Sequence, residues 1–272
     1  MKKKIFKNAA IITGGAGFLG IQHALAICEM NLCVVLIDLD FKKLKLVKKE
    51  ILKLWPKAEI LIYKCDICNE ATLKKIQNNL KKNKIFVKVL INNAAINPKM
   101  KSILSGSSGS IESYNSKDLR KELDVNIVGS FLCIKIFGSL MAQKKQGSII
   151  NIASDAGLIA PDQSIYHPSE NILKVKHFKP AGYSISKHGL IGLTKYIATY
   201  WGHKNVRCNA LAIGAVKKKQ TNFLLKNLKK RIPLQRLAEK FEYKKAIIFL
   251  ASDASSYMTG EVMTLDGGRT SW

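Results

Sequence analysis

The chain has 272 residues, of which 47% are hydrophobic, enough for one large buried core. Its formal net charge is +26, but the lysines are spread along most of the chain and only five basic residues are arginine, which argues against a nucleic-acid partner. Since we find no apolar run long enough to span a bilayer and no signal peptide, we expect a cytoplasmic protein without a membrane partner.

Short apolar segments alternate with longer helical patterns along the chain. The predicted strands are Ala9–Thr13, Cys33–Ile37, Ile60–Lys64, Val87–Ile91, Ser148–Ile152, Val206–Ala210 and Val262–Leu265. The predicted helices are Phe18–Met30, Phe41–Leu54, Ala71–Lys82, Ser116–Gln143, Ala181–Trp201 and Lys240–Leu250. Strands that are apolar throughout are buried on both faces. The pattern therefore predicts a single α/β domain over residues 1–272, a doubly wound, Rossmann-like parallel sheet of seven strands with helices on both faces.

Two segments interrupt this alternation, at about 99–116 and 159–180. The first contains SGSSGS, and the second carries three prolines and has no clear periodicity. Both follow predicted strand ends, where open parallel sheets bind their ligands. We therefore expect two loops at the active site.

The first strand ends in the glycine cluster TGGAGFLG, residues 13–20. Glycines allow the backbone to approach a pyrophosphate, and the helix that follows directs its N–H groups at that charge. The second strand ends in Asp38, whose carboxylate can accept hydrogen bonds from ribose hydroxyls and would repel a 2′-phosphate. This predicts NAD as the cofactor, although Lys42 and Lys43 nearby leave NADP open.

Six cysteines are present, and Cys65 and Cys68 form one CxxC pair. A structural zinc site would need a second pair or histidines at ligand spacing, and none follows in the sequence. We therefore expect no metal site.

Several stretches, taken together and in order, resemble the short-chain dehydrogenase/reductase family over nearly the whole chain. They are TGGAGFLG, CDI, INNAA, LDVNIVGS, GSIINIAS, YSISK, VRCNALAIG and YMTGEVMTLDGG. The resemblance implies nicotinamide binding, hydride transfer and a homo-oligomer, either a dimer or a tetramer. The catalytic positions that it implies are Asn126, Ser154, Tyr183 and Lys187. The cofactor contacts that it implies are Thr13, Gly14, Gly17, Phe18, Leu19, Gly20, Asp38, Asp66, Ile67, Asn92, Ala94, Tyr183, Lys187, Gly214 and Val216.

The chemistry of these residue types agrees with the resemblance. Tyr183 and Lys187 lie four residues apart, so that on a helix they share one face. An ammonium group beside a phenol lowers the phenol's pKa and makes it a better base. Ser154 would hold the substrate oxygen, and Asn126 would bend its helix and hold a water that relays protons toward Lys187.

The sequence departs from the family pattern at three places. Phe18 replaces the middle glycine of the first motif, and Ile213 replaces a proline. Ser154 and Tyr183 are separated by an unusually long segment, which would lie over the substrate.

The two loops carry basic residues, namely Lys99, Lys101, Lys174, Lys176, His177 and Lys179. They favour a small anionic or hydroxylated substrate, such as a sugar derivative of surface-glycan synthesis. One alternative is a 3-oxoacyl carrier-protein reductase, whose acidic carrier would suit the basic chain. Another is a non-catalytic protein on this fold that binds NAD or nucleic acid.

Overall fold

A computed structural model describes residues 7–98, 109–166 and 178–272. Seven strands form one parallel sheet in the order β3-β2-β1-β4-β5-β6-β7. The strands are β1 Lys7–Thr13, β2 Cys33–Asp38, β3 Ile60–Lys64, β4 Ile85–Asn92, β5 Gly147–Ser154, β6 Val206–Ile213 and β7 Val262–Leu265. The predicted doubly wound parallel sheet is confirmed.

Helices cover both faces of the sheet. They are α1 Gly20–Glu29, α2 Phe41–Leu54, α3 Glu70–Lys82, α4 Ser116–Lys144, α5 Ala181–Trp201, α6 Asn222–Lys230 and α7 Lys244–Ala251. The alternation of side chains along β1 shows how the two faces are filled. Ala9 and Ile11 join a core with α3, α4 and α5, whereas Ala10 and Ile12 join a second core with α1, α2 and α7.

Several element boundaries differ from the predicted ones. The first helix begins at Gly20 rather than Phe18, because residues 14–19 form a turn. The last predicted helix begins at Lys244 rather than Lys240. Helix α6 was not predicted, although Thr221 caps it by accepting a hydrogen bond from the Leu224 N–H at 3.3 Å.

Helix α4 is continuous but not uniform. Two π-helical segments, Asp124–Gly129 and Ile134–Gly138, interrupt its α-helical turns. By length and composition α4 could cross a membrane, which contradicts the expectation that no segment is long and apolar enough. However, 61% of its most apolar window is buried inside the fold. Phe137 is buried in the core between α4 and the sheet, so α4 packs against the sheet as a core helix.

The order of the strands positions the site. β1 pairs with β2 on one side and with β4 on the other, so the chain's winding reverses beside β1. At such a switch point the loops after neighbouring strands separate and leave a crevice at the carboxyl edge. Parts of both predicted loops, residues 99–108 and 167–177, lie outside the described residues, and so do Lys99, Lys101, Lys174, Lys176 and His177.

Candidate active site

The turn after β1 is tight because glycines occupy it. Gly14 has a φ of +62°, and a Cβ there would lie 2.8 Å from the Ala94 Cα. A Cβ on Gly20 would lie 2.5 Å from the Gly14 carbonyl oxygen. Gly20 therefore holds the turn against the helix, while Gly14 and Gly17 line the crevice itself.

Polar contacts join the ends of β1 and β4 across the switch point. The Thr13 hydroxyl accepts hydrogen bonds from the N–H groups of Asn93, at 3.0 Å, and Ala94, at 3.1 Å. The Asn93 amide donates to the carbonyls of Thr13 and Gly14 at 2.9 and 3.1 Å. Thr13 is fully buried and supports the turn from beneath.

Asn92 is the last residue of β4, directly before the turn that lines the crevice, and its predicted cofactor contact stays a prediction. Its side chain is buried and donates to the Asn151 side-chain oxygen at 2.8 Å, between β4 and β5. It is Asn93 that lines the crevice, together with Ala94. Successive side chains of a strand point to opposite faces. The Asn92 amide therefore lies in the core, whereas the amide of the next residue, Asn93, lies at the crevice.

The crevice is a cavity of about 600 Å³. Most of the predicted cofactor residues line it, namely Gly14, Gly17, Phe18, Leu19, Asp38, Asp66, Ile67 and Ala94. The Asp38 carboxylate lies at its edge and accepts hydrogen bonds from the N–H groups of Ala16, at 3.0 Å, and Asp40, at 3.1 Å. These contacts fix the carboxylate at the end of β2, where a ribose would lie.

The far end of the crevice is formed after β3. Asp66 accepts a hydrogen bond from the Cys68 N–H at 2.9 Å, which closes a turn that exposes Ile67 to the cavity. Burial raises the pKa of the Cys65 and Cys68 thiols to about 11, so both are weak nucleophiles at neutral pH. Within the described ranges, no group of three His, Cys, Asp or Glu residues could hold a metal ion.

Phe18 covers the glycine turn in an unusual way. Its ring is 38% exposed, and the Lys218 ammonium lies 4.4 Å from the ring centroid, within the range of a cation–π contact. Lys218 and Lys121 both line the crevice. The sequence reasoning missed these two cations because they follow the turn by about 200 and 100 residues and carry no local motif.

Gly214 and Val216 lie beyond β6 and do not line the crevice. Gly214 borders a separate cavity of about 190 Å³, and its N–H donates to the Leu265 carbonyl at 2.9 Å. A Cβ at Gly214 would lie 2.6 Å from the Asp266 Cα, so the glycine permits close packing of the last strand. Val216 pairs with Ala238 in a short bridge.

Three of the predicted catalytic residues meet at the carboxyl edge of the sheet. Ser154 ends β5, and Tyr183 and Lys187 lie one turn apart on α5. The Lys187 ammonium is 5.6 Å from the centroid of the Tyr183 ring and donates to the Ile152 carbonyl at 2.6 Å. The segment between Ser154 and Tyr183 therefore brings the two residues together despite its length.

Burial dominates the electrostatics of this group. Desolvation raises the pKa of Tyr183 to about 12, against the lowering effect of its hydrogen bond with Ser154. Desolvation also lowers the pKa of Lys187 to about 8. Both shifts oppose the charged forms, so a base at Tyr183 requires further positive charge beside it.

Asn126 occupies the π-helical segment of α4 and is 1% exposed. Its amide oxygen accepts from the Ile96 N–H at 2.7 Å, and its amide nitrogen donates to the Ile96 carbonyl at 3.1 Å and to the Ser186 hydroxyl at 2.8 Å. Asn126 thus joins the loop after β4 to α5. No contact with Lys187 is present.

A second lysine approaches Tyr183 from the other side. Lys179 precedes α5, and its ammonium lies 5.1 Å from the Tyr183 ring centroid and donates to the Asn97 side chain and, at 3.1 Å, to the Pro98 carbonyl. Burial lowers the pKa of Lys179 to about 8, and the nearby Glu122 opposes that shift. Lys179 also lines a cavity of about 450 Å³ with Gln163 and Ser184.

Glu122 itself is buried beside the start of α5. Its carboxylate accepts from the Tyr114 hydroxyl at 2.5 Å, and burial raises its pKa. A Cβ on Gly182 would lie 2.7 Å from Glu122 Oε2, so a larger residue just before Tyr183 would displace the Glu122 side chain. This charged cluster was not predicted, because its members are spread over 65 residues without a recognisable spacing.

Comparison with known proteins places these features in a family. A family model described as enoyl-(acyl carrier protein) reductase matches residues 17–270. The 3-oxoacyl-[acyl-carrier-protein] reductase of Homo sapiens is 32% identical, over 76% of this chain and 77% of the relative. The chain belongs to the short-chain dehydrogenase/reductase family, as its motifs predicted, and it is an oxidoreductase of alcohols and ketones.

Other relatives differ in what they act on. The NAD-dependent glycerol dehydrogenase of Listeria innocua serovar 6a is 28% identical, over 98% of this chain and 95% of the relative. The crystal structure of a levodione reductase superposes with a TM-score of 0.81 at 25% identity, and covers 98% of this chain and 99% of that one.

Proposed function

We propose that the protein is an NAD(H)-dependent oxidoreductase that interconverts a secondary alcohol and a ketone, with Tyr183 as general acid and base. The observation that carries this proposal is the meeting of Ser154, Tyr183 and Lys187 at the carboxyl edge of the sheet, where the glycine turn and Asp38 line the crevice. The crevice suits a dinucleotide, because the glycine turn has no room for side chains and so leaves its backbone accessible to a pyrophosphate. Asp38 presents a carboxylate at the edge of the crevice.

When bound, the nicotinamide supplies or accepts the hydride and, when oxidised, adds positive charge near the phenol. Tyr183 moves the proton on the substrate oxygen, donating it during ketone reduction and accepting it during alcohol oxidation. Ser154 holds that oxygen near the phenol. Lys187 favours the phenolate by its charge, and Asn126 keeps α5 in register with the loop after β4.

For the substrate we propose a polyhydroxylated or anionic small molecule, such as a sugar derivative. Lys179 supports this choice, because its ammonium lies 5.1 Å from the Tyr183 ring centroid and donates hydrogen bonds to neutral acceptors among the described residues. Gln163 and Ser184 add polar groups to the same cavity. The polyol specificity named for the Listeria relative agrees with this class.

A 3-oxoacyl carrier-protein reductase is the second candidate. The human relative and the net charge of +26, which suits an acidic carrier, favour it. Asp38 opposes it, because such reductases typically use NADPH and a carboxylate here repels the 2′-phosphate.

The proposed enzyme is cytoplasmic and forms a homo-oligomer, a dimer or a tetramer. Exposed aromatic side chains on the outer face of α5 support self-association. Tyr196 and Tyr200 are 61% and 55% exposed, and their rings stack at 5.8 Å.

The test is to titrate NAD⁺, NADH, NADP⁺ and NADPH into the protein and its Tyr183→Phe variant. Glycerol, xylitol, gluconate and a 3-oxoacyl carrier protein then serve as trial substrates. We expect NAD(H) to bind more tightly than NADP(H), and the variant to keep this affinity while turnover falls at least about 1,000-fold. Tighter NADP(H) binding together with turnover of the acyl carrier would support the second candidate instead.

A further inference from the structure

The hydroxyl of Ser154 is held by its neighbour in sequence. Ser154 donates to Asp155 Oδ1 at 2.8 Å, and the Ala156 N–H donates to the same Asp155 oxygen at 2.8 Å. Asp155 follows β5 directly and is 5% exposed. A carboxylate accepts hydrogen bonds and cannot donate them, so the Ser154 proton is directed at Asp155. The Ala156 N–H also donates to the Ser154 oxygen, at 3.2 Å, and holds the hydroxyl from a second direction.

A buried carboxylate at this place needs a partner, and the partner comes from the end of the chain. Arg269 donates to Asp155 Oδ2 at 2.5 Å, and the two side chains are 11% and 7% exposed. The pair joins residues 114 positions apart.

The C-terminal turn is built to deliver Arg269. Asp266 accepts hydrogen bonds from the N–H groups of Gly268, at 2.9 Å, and Thr270, at 2.8 Å. Gly267 and Gly268 have φ values of +72° and +89°, which side chains rarely adopt. This local network fixes the backbone on both sides of Arg269.

The charges that face Tyr183 come from several elements. Asp155 and Tyr166 each raise its pKa, and the hydrogen bond with Ser154 lowers it. The ammonium groups of Lys187 and Lys179 lie 5.6 and 5.1 Å from its ring centroid. These groups have charged neighbours of their own. Glu122 acts on Lys179, and Arg269 pairs with Asp155. Asp162 acts on Tyr166, and Asp155 and Asp266 act on Tyr243. Among these groups, Asp155 is the carboxylate whose charge acts directly on Tyr183 and opposes a phenolate there.

We propose that Asp155 and Arg269 are a positioning pair for the active site, in which Asp155 orients the Ser154 hydroxyl and Arg269 neutralises Asp155 so that a phenolate can form at Tyr183. This inference rests on the proposed role of Tyr183 as acid and base. It adds that the orientation of the Ser154 hydroxyl depends on Arg269, which lies 114 positions after Asp155 in the chain.

The test measures the ionisation of Tyr183 in the full-length protein with saturating NAD⁺. Tyrosine labelled with ¹³C at Cζ reports each phenol by NMR, and Tyr183→Phe identifies the signal among the eight tyrosines. Asp155→Asn keeps an acceptor for Ser154 and removes the charge, so the Tyr183 pKa should fall by about one unit. Arg269→Gln leaves the carboxylate uncompensated, so the pKa should rise by about one unit.

Three further variants make the outcome specific. Arg269→Lys keeps the charge and should stay near the parent protein. Asp155→Asn/Arg269→Gln removes both charges, so its Tyr183 pKa should lie between those of the two single variants and near the parent value, even if Arg269→Gln alone folds poorly. Lys135→Gln breaks the exposed Lys135–Glu70 ion pair, which touches none of the groups around Tyr183, and should leave the Tyr183 pKa unchanged.

Shifts in the same direction, or none, in Asp155→Asn and Arg269→Gln would overturn the proposal. The pH midpoint of alcohol oxidation with NAD⁺ should move in the same directions as the NMR midpoint. If the NMR shifts occur but none of the trial alcohols and ketones turns over, the positioning pair stands and the proposed function fails. If turnover depends on Tyr183 but its ionisation ignores both variants, the function stands and the pair fails.

Discussion

The two sides of the active site are built in different ways. On the cofactor side, backbone geometry does most of the work, because Gly14 and Gly20 allow a close approach and Thr13 joins β1 to β4. On the substrate side, side chains far apart in sequence hold the loops, as in Asp155–Arg269 and Asp162–Arg231. A local motif encodes the first side, whereas only the folded chain defines the second.

The largest expected effect breaks the cofactor side. Gly14→Ala puts a Cβ 2.8 Å from the Ala94 backbone at a φ of +62°, so both strain and overlap oppose it. We expect NADH affinity to fall at least about 100-fold by fluorescence titration, equal to about 3 kcal/mol.

The matched control for this prediction is Gly192→Ala on α5, where no described atom lies within 4 Å of the added Cβ. It should leave NADH affinity unchanged and raise the free energy of unfolding by up to about 1 kcal/mol. Normal NADH binding by a folded Gly14→Ala protein would show that the turn does not contact the dinucleotide.

A smaller effect sharpens the same side. Asp38→Asn keeps the shape of the side chain and removes its charge, so the preference for NAD⁺ over NADP⁺ should fall about 30-fold, or about 2 kcal/mol. Asp40→Asn is the control, because Asp40 lies two residues away and caps α2. An equal change in both variants, measured as the ratio of the two dissociation constants, would show that general charge sets the preference.

This contrast explains what the sequence could predict. The glycine turn, Asp38 and the doubly wound parallel sheet follow from short patterns and from the topology that such patterns imply. The sequence analysis named Asn92 as a cofactor contact, but it is the side chain of Asn93 that lines the crevice. The exact end of a strand is hard to predict, and a difference of one residue reverses the direction of the side chain. Arg269 acts through a contact over 114 residues, and no local pattern marks it. Lys179 was predicted only as one of several basic residues in the loops, and its contact with Asn97, 82 residues away, carries no local signal.

A buried cation on the substrate side carries a stability cost. Lys187 is buried, and desolvation lowers its pKa to about 8. Lys187→Met should therefore raise the free energy of unfolding at pH 7 by about 2 kcal/mol, after loss of the hydrogen bond to Ile152. Turnover should be lost in the same variant.

The pH dependence gives the sign of this cost. Below about pH 8 the folded parent protein holds a buried cation, whereas above that pH it releases the proton and the unfolded chain still binds it. The free energy of unfolding of the parent protein therefore rises with pH between about pH 8 and about pH 10.4, which is the pKa of lysine in an unfolded chain. Urea unfolding should show the advantage of Lys187→Met shrinking over that range. A constant advantage, or a less stable variant, would contradict the argument.

The smallest expected effect concerns selectivity on the substrate side. If Lys179 meets an anionic group, Lys179→Gln should raise KM for gluconate about 5- to 10-fold and leave KM for a neutral polyol such as xylitol nearly unchanged. The exposed Lys195 on the same helix as Tyr183 is the control, because Lys195→Gln removes the same charge from a protein of net charge +26. Equal changes in both variants would assign the effect to the overall field rather than to the site. If KM rises only in Lys179→Gln, and only for gluconate, the negative charge of the substrate binds beside Tyr183. The substrate side would then depend on a residue that lies outside the motifs that contain Ser154 and Tyr183.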